Sequence, residues 1–266
     1  MNAAHLTDPS DLVHSAAARV LAEHANVVLQ HEWLPGAATG ALRLTAAIVE
    51  EHGVATDRPA TMATARPDGF RLTGTKVTVP GIAEADAVLV PAFTSDGTAL
   101  FLVRSDDLGV ARSKAVLVDG AAAGSLELDA VPVAAERLVG TTSGAACARL
   151  VDVITLGSCA ELVGILRSAD ARTHLQHSAT PPPLSPQAQL LQSAVRRAAR
   201  VLDSGRPAAR ELRVAAYWAC RCAALVTPEP GSPTLARARR VAADLGGVTR
   251  QELLLSSTIR PNQQSR

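Results

Sequence analysis

Aromatic side chains are almost missing from this 266-residue sequence, at 2% for Phe, Trp and Tyr together. Single-stranded nucleic acid is held largely by stacking bases on such rings, so a nucleic-acid role is excluded. Lysine is scarce too, occurring only at Lys76 and Lys114. Arginine supplies the remaining positive charge, which reads as a high-GC coding bias and not as a binding feature. The formal net charge is +1, too small for a field that selects nucleic acid or an anionic membrane. No apolar run reaches membrane-spanning length: "VDVITLGSCAELVGIL" is broken by Asp152 and Glu161, and "VAAYWACRCAALV" by Arg221. No secretory signal opens the sequence, so a cytoplasmic location is expected. Metal spacing is also absent. Cys147, Cys159, Cys220 and Cys222 form no Cys-x-x-Cys pair, and "CRC" is too tight to be one. His174 and His177 stand three apart, but no carboxylate or thiol completes a ligand set, so no metal is expected. The four thiols read as free and buried in a reducing compartment.

At 47% hydrophobic, the sequence can bury a core. It falls into three zones. Residues 1–44 are helical: Asp8 or Ser10 is the N-cap, Pro9 sits near the start, and Val13, Ala17, Val20, Leu21, Val27 and Val28 recur at helical spacing. "LPGAATG" is expected to end that helix. Residues 45–140 change character. "FRLTGTKVTV", "DAVLVPAF", "TALFLVRS", "KAVLVDG" and "SLELDAVPV" are short β-rich runs separated by Gly- and Asp-bearing turns, which predicts an antiparallel sheet or barrel. Residues 141–266 return to helix in four stretches, with "PPPLSP" and "TPEPGSP" as proline connectors. The fold expected is α+β: a short N-terminal helical segment, a central antiparallel β-barrel and a C-terminal helical bundle. A doubly wound fold would alternate strands and helices throughout.

The middle zone resembles the acyl-CoA dehydrogenase family, flavin enzymes that introduce a double bond α,β to a thioester. "ARPDGFRLTGTKVTVPGIAEADAVLVPA" is similar to the family's D-G turn, its strand with small-Gly-x-Lys, its flavin-facing corner and its Ala-Asp entry to the next strand. "AAGSLELDAVPVAAERLVG" resembles the strand ending and the exit into the helical domain, and "ADLGGVTRQEL" takes the place of the Gly-Gly turn. The resemblance covers roughly residues 34–253. It implies FAD as cofactor, an acyl-CoA thioester as ligand, and either a homologous subunit or a second copy as partner. It carries cofactor roles onto Val49, Thr56, Asp57, Thr78, Pro80, Gly81, Gly246 and Gly247, and the role of catalytic base onto Glu252, with Asp244 and Glu161 as alternatives.

The departures bear on activity. The corner's aromatic place is Thr78 and its hydroxyl place is Pro80, which has no N–H to give a flavin. The Leu-Thr-Glu-Pro place reads Ile48-Val49-Glu50-Glu51, so a valine replaces a hydroxyl. Thr56-Asp57 stands in for the Ser-Asp that approaches the pyrophosphate. The arginine that clamps the FAD phosphates is gone from "HSATPPPLSPQ", a loss of a charge-assisted contact worth roughly 1.5–3 kcal/mol. Each candidate also has a plainer reading: a hairpin lysine in solvent for Lys76, a turn for Pro80-Gly81, an Asx turn for Thr56-Asp57, a helix C-cap for Gly246-Gly247 and a surface carboxylate for Glu252. The expected function is an acyl-CoA dehydrogenase-like flavoprotein subunit whose partner supplies missing site residues. The alternative is a flavin-free structural or regulatory subunit, or an acyl-thioester-binding module.

Overall fold

Asp8 starts the first helix by accepting a hydrogen bond from the Ser10 amide, and Pro9 fills the first helical position, where no N–H is needed. The computed structural model describes residues 8–51, 58–175, 185–225, 233–246 and 251. These fall into two compact units, one of residues 8–154 and one running on from 155.

The first unit opens with α1 (Pro9–His24) and α2 (Val27–Thr39). One continuous helix was expected here, and the structure breaks it at Ala25-Asn26. Asn26 caps the second helix through a bond from the Leu29 amide, so the chain gains a capped start that a single helix would forgo. Val27 and Val28 consequently face solvent, 66% and 65% exposed, and are not core positions. "LPGAATG" does end the helical segment, at its last residue: α2 continues through Pro35 and stops at Gly40, whose left-handed φ of 75° closes the C-terminus.

The strands are β1 (Leu44–Ala46), β2 (Met62–Arg66), β3 (Gly69–Lys76), β4 (Ala87–Thr94), β5 (Gly97–Arg104), β6 (Val110–Arg112), β7 (Ala115–Val116), β8 (Ala122–Ala123), β9 (Leu126–Val133) and β10 (Leu138–Val139). The main sheet runs β10-β5-β4-β2-β3-β9-β6, with β1 alongside β4, while β7 and β8 form a separate hairpin. The expected closed antiparallel barrel is therefore corrected on two counts. The outermost strands β10 and β6 span two and three residues and do not pair with each other, so the sheet stays open. In addition, β4 pairs in parallel with both β1 and β2, so the sheet is mixed.

The continuous apolar character of β4 and β5 follows from burial on both faces. Ala87, Leu89, Leu100 and Leu102 pack against α1 and α2. Their alternates Val88, Val90, Phe101 and Val103 pack against Leu72, Leu126, Val131 and Val133 from β3 and β9. The curled sheet thus fills its own concave side, which is how the pattern imitates a barrel.

Helix α3 (Ala145–Leu175) begins in the first unit, and α4 (Pro186–Asp203), α5 (Ala209–Leu225) and α6 (Pro233–Asp244) belong to the second. The second unit has a core of small residues, including Ala188, Ala215, Ala219 and Ala238, beside Leu162, Ile165 and Leu191. All four cysteines are free and buried. Cys220 and Cys222 give their weak S–H bonds to the Ala242 and Gln187 carbonyls of neighbouring helices. No helix among the described residues is long and apolar enough to cross a membrane.

Candidate functional site

The corner that follows β3 carries backbone strain. Thr78, a β-branched residue, has a φ of 50°, and Gly81 has a φ of 60°. A non-glycine residue held there costs of order 1–3 kcal/mol and persists only where surrounding structure imposes it.

What imposes it can be read residue by residue. The Val77 amide bonds to the Val49 carbonyl at 2.9 Å. The Val79 amide reaches the Gly124 carbonyl at 2.8 Å and the Gly81 amide the Ala122 carbonyl at 3.2 Å, both at the β7–β8 hairpin. Pro80 offers no donor, and its carbonyl accepts from Thr45 Oγ1 at 2.6 Å. A Cβ on Gly81 would stand 2.7 Å from Ser10 Cβ, so only glycine lets α1 approach the corner. Arg43 fixes that approach: its guanidinium bonds Asp11 at 2.8 Å, and its amide bonds the Asp86 carboxylate at 2.7 Å where the corner leaves for β4.

Beneath the corner lies a buried ion pair. Lys76 is fully buried, which removes the reading of a lysine in solvent. Its Nζ donates to Glu50 Oε1 at 2.7 Å. The same carboxylate accepts from the Thr61 amide at 2.9 Å, the Thr61 hydroxyl at 2.8 Å and the Ala60 amide at 2.7 Å. Burial alone would raise the Glu50 carboxyl, but the bonds from Lys76, Ala60 and Thr61 outweigh it and hold the group at about 2. Burial lowers Lys76, against the pull of Glu50. Burial also pushes the nearby Cys147 thiol up to about 12, with Lys76 opposing, so Cys147 is an inert thiol and not a nucleophile.

The structure brings Val49, Thr78, Pro80 and Gly81 into one locality. Gly246 belongs to the other unit, where its φ of 88° and a 2.8 Å amide bond to Ala243 close α6. Thr56, Asp57, Gly247 and Glu252 lie outside the described residues. Both alternative carboxylates are engaged with guanidinium groups: Glu161 accepts from Arg237 at 2.5 Å, and Asp244 from Arg240 at 3.0 Å. Arg237 therefore turns inward, whereas Arg196, Arg197 and Arg200 lie on solvated helix face. Glu50 is the residue that sequence reasoning missed as a partner for Lys76. No local signal marks the pair, because Glu51 follows Glu50 and Lys76 stands 26 positions away. Asp152 was missed as well; burial raises its carboxyl against the pull of Arg149. Among the described residues no cluster of three metal-ligating side chains forms.

A second concavity, of about 510 Å³, opens where α2 meets the segment entering β4 and the end of β5. Trp33, Arg104, Arg112 and the carboxylates of Glu32, Glu84, Asp86 and Asp106 line it.

No family model matches the sequence, and no curated protein is similar to it. Solved structures are. The fold aligns with a variant of the "Tcur3481-Tcur3483 steroid ACAD" at TM-score 0.79 and 26% identity, covering 92% of this chain and 74% of that one. It aligns with the ChsE4-ChsE5 complex from Mycobacterium tuberculosis at TM-score 0.80 and 26% identity, covering 93% and 75%. This chain is a structural relative of the acyl-CoA dehydrogenases. Butyryl-CoA dehydrogenase from Megasphaera elsdenii shares the fold at TM-score 0.78 and 18% identity, covering 96% and 79%.

An acyl-CoA dehydrogenase fold raises the question of FAD. The described residues do not make a complete flavin site. At the corner, the amides of Val77, Val79 and Gly81 are bonded within the chain, and Pro80 has none. The buried donors that lack a partner among the described residues, Trp33 Nε1 and Arg104 Nε, lie at the second concavity and not at the corner.

Proposed function

We propose that this chain is one subunit of a heteromeric acyl-CoA dehydrogenase-type assembly that introduces an α,β double bond into an acyl-CoA thioester with FAD, the partner subunit supplying the base and the missing cofactor contacts. The observation that carries this reading is the corner itself. Its strained backbone and the buried Lys76–Glu50 pair beneath it are present, while the amides of Val77, Val79 and Gly81 are bonded within the chain and Pro80 has none. A solitary enzyme would need those donors in its own chain. The similarity to a structure described as a complex of two named chains supports a partner for this one. Within this reading the cofactor roles of Val49, Thr56, Asp57, Thr78, Pro80, Gly81, Gly246 and Gly247 are proposals, as is a cytoplasmic location, and Glu252 is the base only where the partner supplies none. A bulky acyl group, such as a steroid side chain, is the substrate suggested by the similarity to the steroid ACAD.

The second reading is a flavin-free structural or regulatory subunit or an acyl-thioester-binding module, and Pro80 favours it because a proline cannot donate to a flavin. One measurement separates the two. The visible absorption spectrum is recorded for the purified chain alone and for the chain co-expressed with the product of the neighbouring gene. A colourless chain and a yellow complex is the result expected. A yellow chain alone would overturn the dependence on a partner. Two colourless preparations would leave the flavin-free reading.

A further inference from the structure

We propose that the concavity between α2 and the β4–β5 end of the sheet is a binding site for a small zwitterion, one carboxylate and one ammonium held a few ångströms apart. It is lined by residues that follow the corner, Ala83 to Asp86, and not by Thr78, Pro80 or Gly81, and it stands independently of the function proposed above.

The floor of this site needs an acceptor. Trp33 is 5% exposed, and its indole N–H has no acceptor among the described residues. The Nε–H of Arg104 is likewise buried without one. The two side chains are neighbours, with the guanidinium carbon 5.9 Å from the Trp33 ring centre. A buried donor without a partner is a standing cost, so two of them side by side behind a cleft wall favour anything that brings acceptor oxygens. Glu32 meets Arg104 through its outer nitrogen and leaves Nε unserved. A ligand carboxylate approaching Arg104 side-on would meet Nε, and would do so as the half-exposed Arg104 turns away from Glu32.

The rim asks for the opposite charge. Four carboxylates line the concavity, those of Glu32, Glu84, Asp86 and Asp106, against the guanidiniums of Arg104 and Arg112. Glu32 is paired with Arg104, and Asp86 accepts the Arg43 amide. Arg112 is turned to the Ile82 and Ala85 carbonyls, both at 3.0 Å. The carboxylates of Glu84 and Asp106 have no hydrogen bond or ion pair among the described residues, and both residues are exposed. A simple anion would therefore meet a net negative rim and gain little. A ligand with an ammonium beside its carboxylate satisfies floor and rim together. The volume of about 510 Å³ is ample for such a molecule.

The sequence holds two tryptophans, so Trp218→Phe leaves Trp33 as the sole reporter. In that background the full chain is titrated with 4-aminobutyrate, with butyrate and butylamine as one-charge controls. The expected result is a saturable change in Trp33 emission, half-complete at or below about 1 mM, with both controls at least about tenfold weaker. Arg104→Lys keeps the charge but removes Nε–H, and should weaken 4-aminobutyrate by about tenfold or more. Glu84→Gln combined with Asp106→Asn changes only exposed groups. It should weaken 4-aminobutyrate and strengthen butyrate, and it decides the matter if Arg104→Lys does not fold. No saturable change up to about 10 mM, equal binding of the controls, or binding indifferent to these variants would each overturn the proposal.

Discussion

The two units of this chain solve burial in different ways. The helical unit fills its interior with alanine, cysteine and leucine, and its Arg237–Glu161 pair, at 12% and 9% side-chain exposure, joins α6 to α3. The sheet unit places a charged pair, Lys76–Glu50, at 1% and 7% side-chain exposure in the middle of its wall. A packed apolar interior needs only shape and volume. A buried ion pair is costly to desolvate and holds only with complete hydrogen bonding, so under a strained corner it fixes position more than it adds stability. The sheet unit is thus held here by directed contacts, and the helical unit by packing. Each unit holds one tryptophan, Trp33 or Trp218, so variants with a single tryptophan report the two separately.

The largest test of this contrast is Lys76→Met. It removes the cation and leaves the Glu50 carboxylate buried without its charge partner, an error that typically costs about 3–5 kcal/mol. Urea denaturation followed at Trp33 should show that loss, whereas Trp218 should report a much smaller shift. Adding Glu50→Leu to Lys76→Met should recover much of the stability, because an apolar pair replaces a broken ionic one. Equal shifts at both tryptophans would mean that the units unfold as one, and the contrast between them would lose its energetic content.

Acid sharpens the same comparison. Glu50 is held at about 2 in the fold, against an ordinary value of 4.5. Its folded value is the lower one, so its contribution is complete above the ordinary value and drains away as pH falls from there towards 2. A shift of that size corresponds to about 3 kcal/mol. Glu23, held at about 2 chiefly by its bonds from Arg149, contributes in the same direction but is more exposed. The urea midpoint at Trp33 should therefore fall between pH 5 and pH 3, and Glu50→Gln should flatten that fall. An unchanged slope in Glu50→Gln would remove Glu50 as its source.

How far the sequence discloses this arrangement depends on how local each feature is. The strands β3, β4, β5 and β9 are legible because short β-rich runs and Gly-Asp turns are properties of a few adjacent residues. The break at Asn26 was not, since Val27 and Val28 keep the helical spacing even though they point to solvent. β1 escaped because three residues carry no pattern, and its place depends on a parallel partner more than forty positions away. Closure of the barrel failed for the same reason, being decided by which edge strands meet. The corner was found from Pro80-Gly81, yet its meaning depended on Ser10, Thr45, Ala122 and Gly124, which only the fold assembles. Glu50 was read for its position in a motif and not for its charge, so its bond to Lys76 went unseen.

The smallest effect tests whether the corner is clamped by α1. Gly81→Ala sets a side chain at a φ of 60°, with its Cβ 2.7 Å from Ser10 Cβ. The left-handed conformation alone costs about 1–2 kcal/mol for an L-residue, and the contact adds to it because both atoms are near the backbone. Ser10→Gly in the same chain removes the contact but not the conformational term, so it should return only part of the loss at Trp33. Complete recovery would assign the whole cost to α1. No recovery would assign it to the backbone, and the corner would then be strained by its own turn and not by the helix packed against it.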